Sequence, residues 1–156
     1  MAITTEDSLE YADQTADPVV KLGNDELQGK VVVAHFDFTQ GAAAGDDGSF
    51  VNLIRLPGGK IRILKFDFAT SAFGASRVMK IGNTAATNVD GKAAIAADDD
   101  AFAVGLDLAL AVDVTDLSDT VIETFDGFDV QGTVTGGTIP AAATLKGYIT
   151  YTRDAI

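Results

Sequence analysis

The feature that most constrains this chain is a two-residue apolar alternation that recurs in short runs, each cut off by a glycine-bearing turn. Successive side chains of an extended strand point to opposite faces, so such alternation specifies a strand with one face turned inward, whereas a helix needs a period of about 3.6. In the run Val31 to Phe38, the residues Val32, Ala34, Phe36 and Phe38 share a face, and His35 and Asp37 take the other. In the last run Leu145, Gly147, Ile149 and Tyr151 alternate with Lys146, Tyr148 and Thr150, as expected of a closing core strand. Phe50 to Leu56 reads as a further strand and Lys60 to Phe68 as the next. Between them, Pro57-Gly58-Gly59 combines the pre-set φ of proline with the permissive φ of glycine, which predicts a hairpin. The phase slips inside Lys60 to Phe68: Ile61 and Ile63 share one face, while Leu64, Phe66 and Phe68 share the other. A β-bulge accounts for the slip, because one extra residue re-aims all that follow; burial of both faces is the alternative.

The remaining segments follow the same grammar. Gly41 to Gly48 is a loop, Arg77 to Ile81 a short strand stopped by Gly82, and Asp90-Gly91 a turn. Ala93 to Val104 is the one helix-permissive stretch, with Asp98 placed to cap a short helix and Gly105 to stop it. Leu106 to Val114 alternates weakly. Thr120 to Phe128 and Gln131 to Thr135 read as strands divided by Asp126-Gly127, and Gly136-Gly137 makes the next turn. Seven or more short strands without long crossover helices predict an all-β fold over residues 31–156, a β-sandwich or barrel that is jelly-roll-like or another Greek key. No repeat of 20 to 50 residues is present. Met1 to Lys30 is polar and acidic with scattered Tyr11, Val19, Val20 and Leu22, and reads as an extended N-terminal arm. Such an arm is either a plain flexible tail or a segment that orders along a neighbour on assembly.

Composition narrows the function. With 156 residues and 47% hydrophobic content, the chain fits one domain with a single core. It has no cysteine, which removes disulfides and thiolate zinc sites. The N-terminus lacks the basic and apolar regions of a signal peptide, and no stretch approaches the roughly 18 apolar residues of a membrane span. A soluble chain made in the cytoplasm, with no membrane partner, is therefore expected. The net charge of −12 argues against nucleic acid, whose phosphates require a basic face. The charge is unevenly placed: Arg55, Lys60, Arg62, Lys65, Arg77 and Lys80 meet only Asp67 between them, whereas Ile81 to Leu145 carries the single base Lys92. Those six cations are either part of a mixed solvated surface or a subunit or capsid interface, in which the basic part of one copy meets the acidic part of the next.

Residues suited to catalysis are few. The single histidine, His35, is the one conventional base, and it lies on a strand away from the core phase with no Gly-x-Ser-x-Gly elbow in the chain. Carboxylate pairs suit glycoside hydrolysis, but acids are so abundant that no pair stands out, and there is no tryptophan to stack a sugar. Asp98-Asp99-Asp100 invites a calcium reading, yet the EF-hand spacing is absent, and capping or solvated charge suits it better. The same holds for Asp113, Asp116 and Asp119. Gly41 to Gly48 lacks the Gly-Lys-Ser/Thr ending of a phosphate loop, and Asp46-Asp47 would repel phosphate. A non-enzymatic structural protein, with no cofactor and no metal, is the expectation.

Three segments carry a likeness: Leu56 to Leu64 (LPGGKIRIL), Ser71 to Gly82 (SAFGASRVMKIG) and Gly136 to Tyr148 (GGTIPAAATLKGY). Together with Asp90-Gly91 and Asp100 to Asp107 (DAFAVGLD), the chain from about Phe50 to Tyr151 resembles a family of small virion structural proteins of tailed bacteriophages. That resemblance implies a head decoration, or cement, protein on the capsid exterior, with the major capsid protein as partner and a homotrimeric state. A head fibre, spike or tail-associated module binding host-surface glycans is the alternative.

Overall fold

A computed structural model describes residues 5–7, 30–71, 73–87, 94–109, 112–114 and 121–154. Its ten strands are β1 (Thr5–Asp7), β2 (Lys30–Thr39), β3 (Phe50–Leu56), β4 (Gly59–Ser71), β5 (Val78–Asn83), β6 (Asp98–Asp107), β7 (Val112–Val114), β8 (Val121–Thr124), β9 (Phe128–Thr135) and β10 (Thr144–Asp154). They form two sheets, one in the order β1-β3-β9-β5-β6 and the other β2-β10-β4-β7, with β8 also paired to β4. The all-β sandwich expected from the alternation is what the chain forms.

The pairing is nested. β2 pairs with β10, β3 with β9, β4 with both β7 and β8, and β5 with β6, all antiparallel. The chain thus runs out to β5, turns back at β6, and retraces its own path as a long antiparallel ribbon. Successive pairs of that ribbon fall in opposite sheets, which is the strand order of a jelly roll. Alternation and turn signals are equally compatible with a jelly roll and with other Greek keys; the ladder partners decide between them.

The inward faces follow the alternation, except on β3, where a register shift between Asn52 and Ile54 interrupts it. Phe36, Phe38, Phe66, Phe68, Leu145 and Ile149 fill the core from one sheet, and Val51, Ile54, Leu56, Met79, Ile81, Phe128, Val130 and Val134 from the other. Phe102 of β6 stands between Phe66 and Phe128 with ring centroids 6.3 Å from each, so an aromatic file crosses from sheet to sheet. Along β4 the predicted slip is a bulge: Thr150 faces Lys65 and Tyr151 faces Ile63, leaving Leu64 as the extra residue. The bulge restores Ile61, Ile63, Phe66 and Phe68 to one buried face, so the second explanation, burial on both sides, is not needed.

Two local expectations are overturned. Pro57-Gly58-Gly59 does not close a hairpin, because β3 and β4 lie in different sheets and this corner carries the chain between them. Turn chemistry is the same for a hairpin and for a sheet-crossing corner; what differs is the long-range partner, β9 for one strand and β10 for the other. Asp126-Gly127 is likewise a crossing, from β8 to β9, and the two corners interlock. A Cβ on Gly58 would lie 2.0 Å from the Phe125 carbonyl oxygen, and one on Gly127 would lie 2.1 Å from that of Leu56. The predicted helix within Ala93 to Val104 is also absent: Asp98–Asp107 is a strand paired with β5. Helix propensity is a weak preference that a ladder overrides, and only as an extended strand does this segment send Phe102 into the core. Gly105, expected as a stop, sits inside that strand at φ +69, where the register with β5 shifts.

Of the N-terminal arm, Thr5–Asp7 forms a parallel edge strand on β3. There the Asn52 amide donates to the Asp7 carboxylate and accepts from Gln131 Nε2 at 2.6 Å. Lys30, the last residue of the expected arm, opens β2, and the rest of the arm, with Tyr11 to Leu22, lies outside the described residues, as do Asp90-Gly91, Asp116 and Asp119.

Candidate functional site

The six cations singled out from sequence do not converge. Arg55 on β3 and Lys80 on β5 project from the outer face of one sheet, and Lys60, Arg62 and Lys65 on β4 belong to the other sheet. Arg77 precedes β5 at the end of the sandwich. A run of 26 residues that is basic in sequence is thus divided by the corner at Pro57 and the loop before β5. A single basic patch made of these residues is therefore not formed.

Most of these cations have acidic or carbonyl partners within the chain. Arg55 pairs with Asp129 across the β3–β9 ladder at 3.1 Å, and Lys60 with Glu123 across β4–β8 at 3.6 Å. Lys65 reaches Asp67 on its own strand at 3.3 Å. Arg77 works as a clamp: its Nε donates to the Thr138 carbonyl at 2.8 Å and Nη1 to that of Ala75 at 3.3 Å. It thereby ties the β4–β5 loop to the β9–β10 loop, where a Cβ on Gly136 would lie 2.2 Å from the Ser76 carbonyl oxygen. Surface pairs of this kind contribute at most about 1 kcal/mol each, so they fix local geometry more than they stabilise the fold.

Lys80 sits between Asp99 and Asp100, with Nζ 3.3 Å and 3.5 Å from their carboxylates. The hydrogen bond and charge of Asp99 hold its ammonium above the ordinary Lys value of 10.5, with Asp100 adding to the effect. A raised pKa means the stabilisation is complete below pH 10.5 and is lost as pH climbs through the folded value. The carboxylates of Asp98, Asp99 and Asp100 do lie close together, all exposed, and Lys80 is already the counter-ion of Asp99 and Asp100. Their other role is to blunt the β6 edge, since a row of carboxylates discourages a foreign strand from pairing there. The Asp98 side chain accepts from the Asp100 N–H at 3.2 Å, a local turn rather than a helix cap.

His35 is exposed on β2, and its ring lies 5.1 Å from that of Tyr148 on the neighbouring β10. The depression beside β8, about 410 Å³ and lined in part by Asn83, Ile95, Asp98 and Ile122, is shallow and open. Asn83, its buried polar group, spends its amide hydrogens on the carbonyls of Thr84 and Ala96, both at 3.0 Å, and so anchors the β5–β6 connection.

A surface that sequence reasoning does not single out is the outer face of the β2-β10-β4 sheet. Register places Val31, Thr152, Arg62 and Val121 in one row across four strands. Val33, Thr150 and Lys65 form the next row, and His35, Tyr148 and Asp67 the third. Val31, Val33 and Tyr148 are 59%, 60% and 50% exposed. The alternation of β2 does put Val31 and Val33 on the polar side, and that is the available signal; the neighbours across the sheet are invisible without the ladder. Phe125, 70% exposed on the β8–β9 corner, falls in sequence inside the strand expected over Thr120 to Phe128 and is hidden for the same reason.

No family model matches the chain, and no curated protein does. A solved structure of infectious bursal disease virus, Gx strain, is similar with a TM-score of 0.40 and 16% identity. The match covers 88% of this chain but 42% of the other, so this protein spans less than half the length of that chain.

Proposed function

We propose that this protein is a virion structural component, a head decoration or cement protein of a tailed bacteriophage that binds the outside of the capsid and bridges capsomers. The observation that carries the reading is where the phage-like segments fall in the fold. Leu56 to Gly59 makes the sheet-crossing corner, Ser76 and Arg77 hold the Gly136-Gly137 turn, and Pro140 to Ala143 closes the loop against Gln40. These segments therefore build corners and turns held by backbone contacts. Corners of this kind suit a protein whose work is binding. A ligand that binds only the assembled lattice stabilises it by mass action, by about 4 kcal/mol per site at a thousandfold excess over Kd. The major capsid protein is the proposed partner and a homotrimer the proposed state. Purified particles, quantified by mass spectrometry, are expected to carry hundreds of copies, the number a symmetric lattice repeats. A dozen or fewer copies per particle overturns the reading.

One observation favours the alternative of a glycan-binding fibre or spike module. Phe125 stands exposed on a corner held by its own N–H to the Thr87 carbonyl at 3.2 Å, and a rigid aromatic face is what sugar rings stack on. That reading expects glycan-array binding by the isolated protein that disappears in Phe125→Ala.

A further inference from the structure

We infer that the open edge of β2 accepts an extended, apolar segment of the capsid subunit as an added strand, which widens the β2-β10-β4 sheet by one. The inference deepens the proposed head-binding function and rests on it. β2 is the last strand of its sheet, with β10 on one side and no described strand on the other. Its ladder with β10 runs unbroken from Lys30 to Thr39, and the Gln40 N–H extends it by donating to the Ala143 carbonyl at 2.8 Å. Backbone bonds of an antiparallel pair alternate along each strand. With Gln40 bonded to its partner, the even-numbered residues of β2 turn N–H and C=O toward β10, and Val31, Val33 and Thr39 turn theirs to the open side. A row of backbone donors and acceptors at strand spacing is matched group for group by another extended strand.

The other described edges are blunted and this one is not. β6 opens on three carboxylates, shifts register twice against β5 and carries Gly105 at φ +69. β1, β7 and β8 have three, three and four residues. β2 has ten residues with no proline, glycine or bulge, and its one carboxylate, Asp37, is held by Lys146 at 2.7 Å. Long regular edges without such devices are templates for pairing with another chain. The side chains then define the occupant. Val31 and Val33 are 59% and 60% exposed on the outer face, and Val32 and Ala34 are only half-buried on the inner one, whereas Phe36 and Phe38 farther along are covered. The first half of β2 is therefore apolar on both faces and incompletely covered on both, so the strand that completes it is apolar where it passes Val31 to Ala34. Pairing with a second copy would bring together two chains of net charge −12, a repulsion that a strand offered by a different chain need not meet.

The test follows backbone hydrogen exchange of the full chain, free and bound to DNA-free heads. In the free chain the Val31 and Val33 amides are expected to exchange faster than those of Val32 and Ala34, and head binding to slow exchange across residues 31–39. Val33→Pro removes an outward N–H and fills the open side with its ring, a change that edge strands tolerate. Val31→Lys/Val33→Lys instead places charge where an apolar strand must pack. Each variant is expected to weaken head binding about tenfold or more, the cost of leaving a buried backbone or charged group unpaired, with a thermal midpoint close to that of the wild type. Val104→Lys, at an exposed position on the edge of the other sheet, is expected to leave binding unchanged. Heads that bind without slowing exchange at β2, or that bind both β2 variants as tightly as the wild type, overturn the inference and leave the decoration reading standing. A lowered midpoint with unchanged head binding means that the edge is filled within the chain. Sedimentation of the free protein as a dimer that the β2 variants dissociate means that a second copy fills it; either outcome overturns the inference. A wild type that does not bind heads sinks the decoration reading and the inference with it.

Discussion

Replacing Phe102 with alanine is expected to lower the unfolding free energy by about 3–5 kcal/mol, the usual cost of truncating a buried aromatic. Small domains are stable by only about 5–15 kcal/mol, so this one change removes about a fifth or more of the total. The physical case is specific to the position. Phe102 is 3% exposed and is the one fully buried side chain of β6, whose other residues are half-buried or exposed. Its ring fills the space between Phe66 on one sheet and Phe128 on the other. Those two neighbours are fixed by separate ladders, so they cannot collapse together to close the cavity. Urea unfolding should show the midpoint falling with the slope unchanged, the signature of lost stability without a changed denatured state. A loss under about 1 kcal/mol would mean that the aromatic file does not join the sheets.

The same residue shows where sequence reasoning stops. Alternation in β2 and β10 places Phe36, Phe38, Leu145 and Ile149 in the core correctly, because a half-buried strand writes its two faces directly into the chain. The slip inside β4 is legible as a bulge for the same reason: the inward phase breaks at Leu64 and resumes at Phe66. Phe102 is not legible as a strand residue. An edge strand with one fully buried side chain, opening on three carboxylates and carrying a left-handed Gly105, has no alternation to read, and its local composition suits a capped helix better. What makes it a strand is the exposed ladder of β5, more than a dozen residues earlier in the chain.

Topology is legible only as a class. Turn signals mark where a strand ends, but Pro57-Gly58 and Asp126-Gly127 look the same whether the next strand pairs with the last or crosses to the other sheet. The candidate surface suffers from the same blindness. Counting cations along the chain groups Arg55 with Lys60 and Arg77 with Lys80, although the first pair is split between two sheets and Arg77 is engaged with the Thr138 carbonyl. The row Val31, Thr152, Arg62 and Val121 draws on residues up to 121 positions apart, and cross-strand neighbours of that kind exist only after the register is set.

The interlocked corners make the second large prediction. Gly127→Ala is expected to lower stability by about 2–5 kcal/mol, from two separable causes. Gly127 holds φ at +87, a conformation that costs a residue with a Cβ roughly 1–2 kcal/mol. The added methyl would also lie 2.1 Å from the Leu56 carbonyl oxygen, a backbone atom of the neighbouring crossing that cannot swing aside. Overpacking of this kind typically adds about 1–3 kcal/mol. The corner has little room to relax, since the Gly127 N–H donates to the buried Thr124 hydroxyl at 3.0 Å and Arg153 Nε holds the Gly58 carbonyl at 2.8 Å. Gly105→Ala supplies the control, because Gly105 has a similar φ of +69 but a methyl there would meet nothing within 4 Å. It should therefore show the conformational cost alone, about 1–2 kcal/mol. Equal losses for the two variants, read from urea midpoints, would show that the crossings do not press on each other; a gap of about 1 kcal/mol or more locates the crowding where β3–β4 and β8–β9 pass.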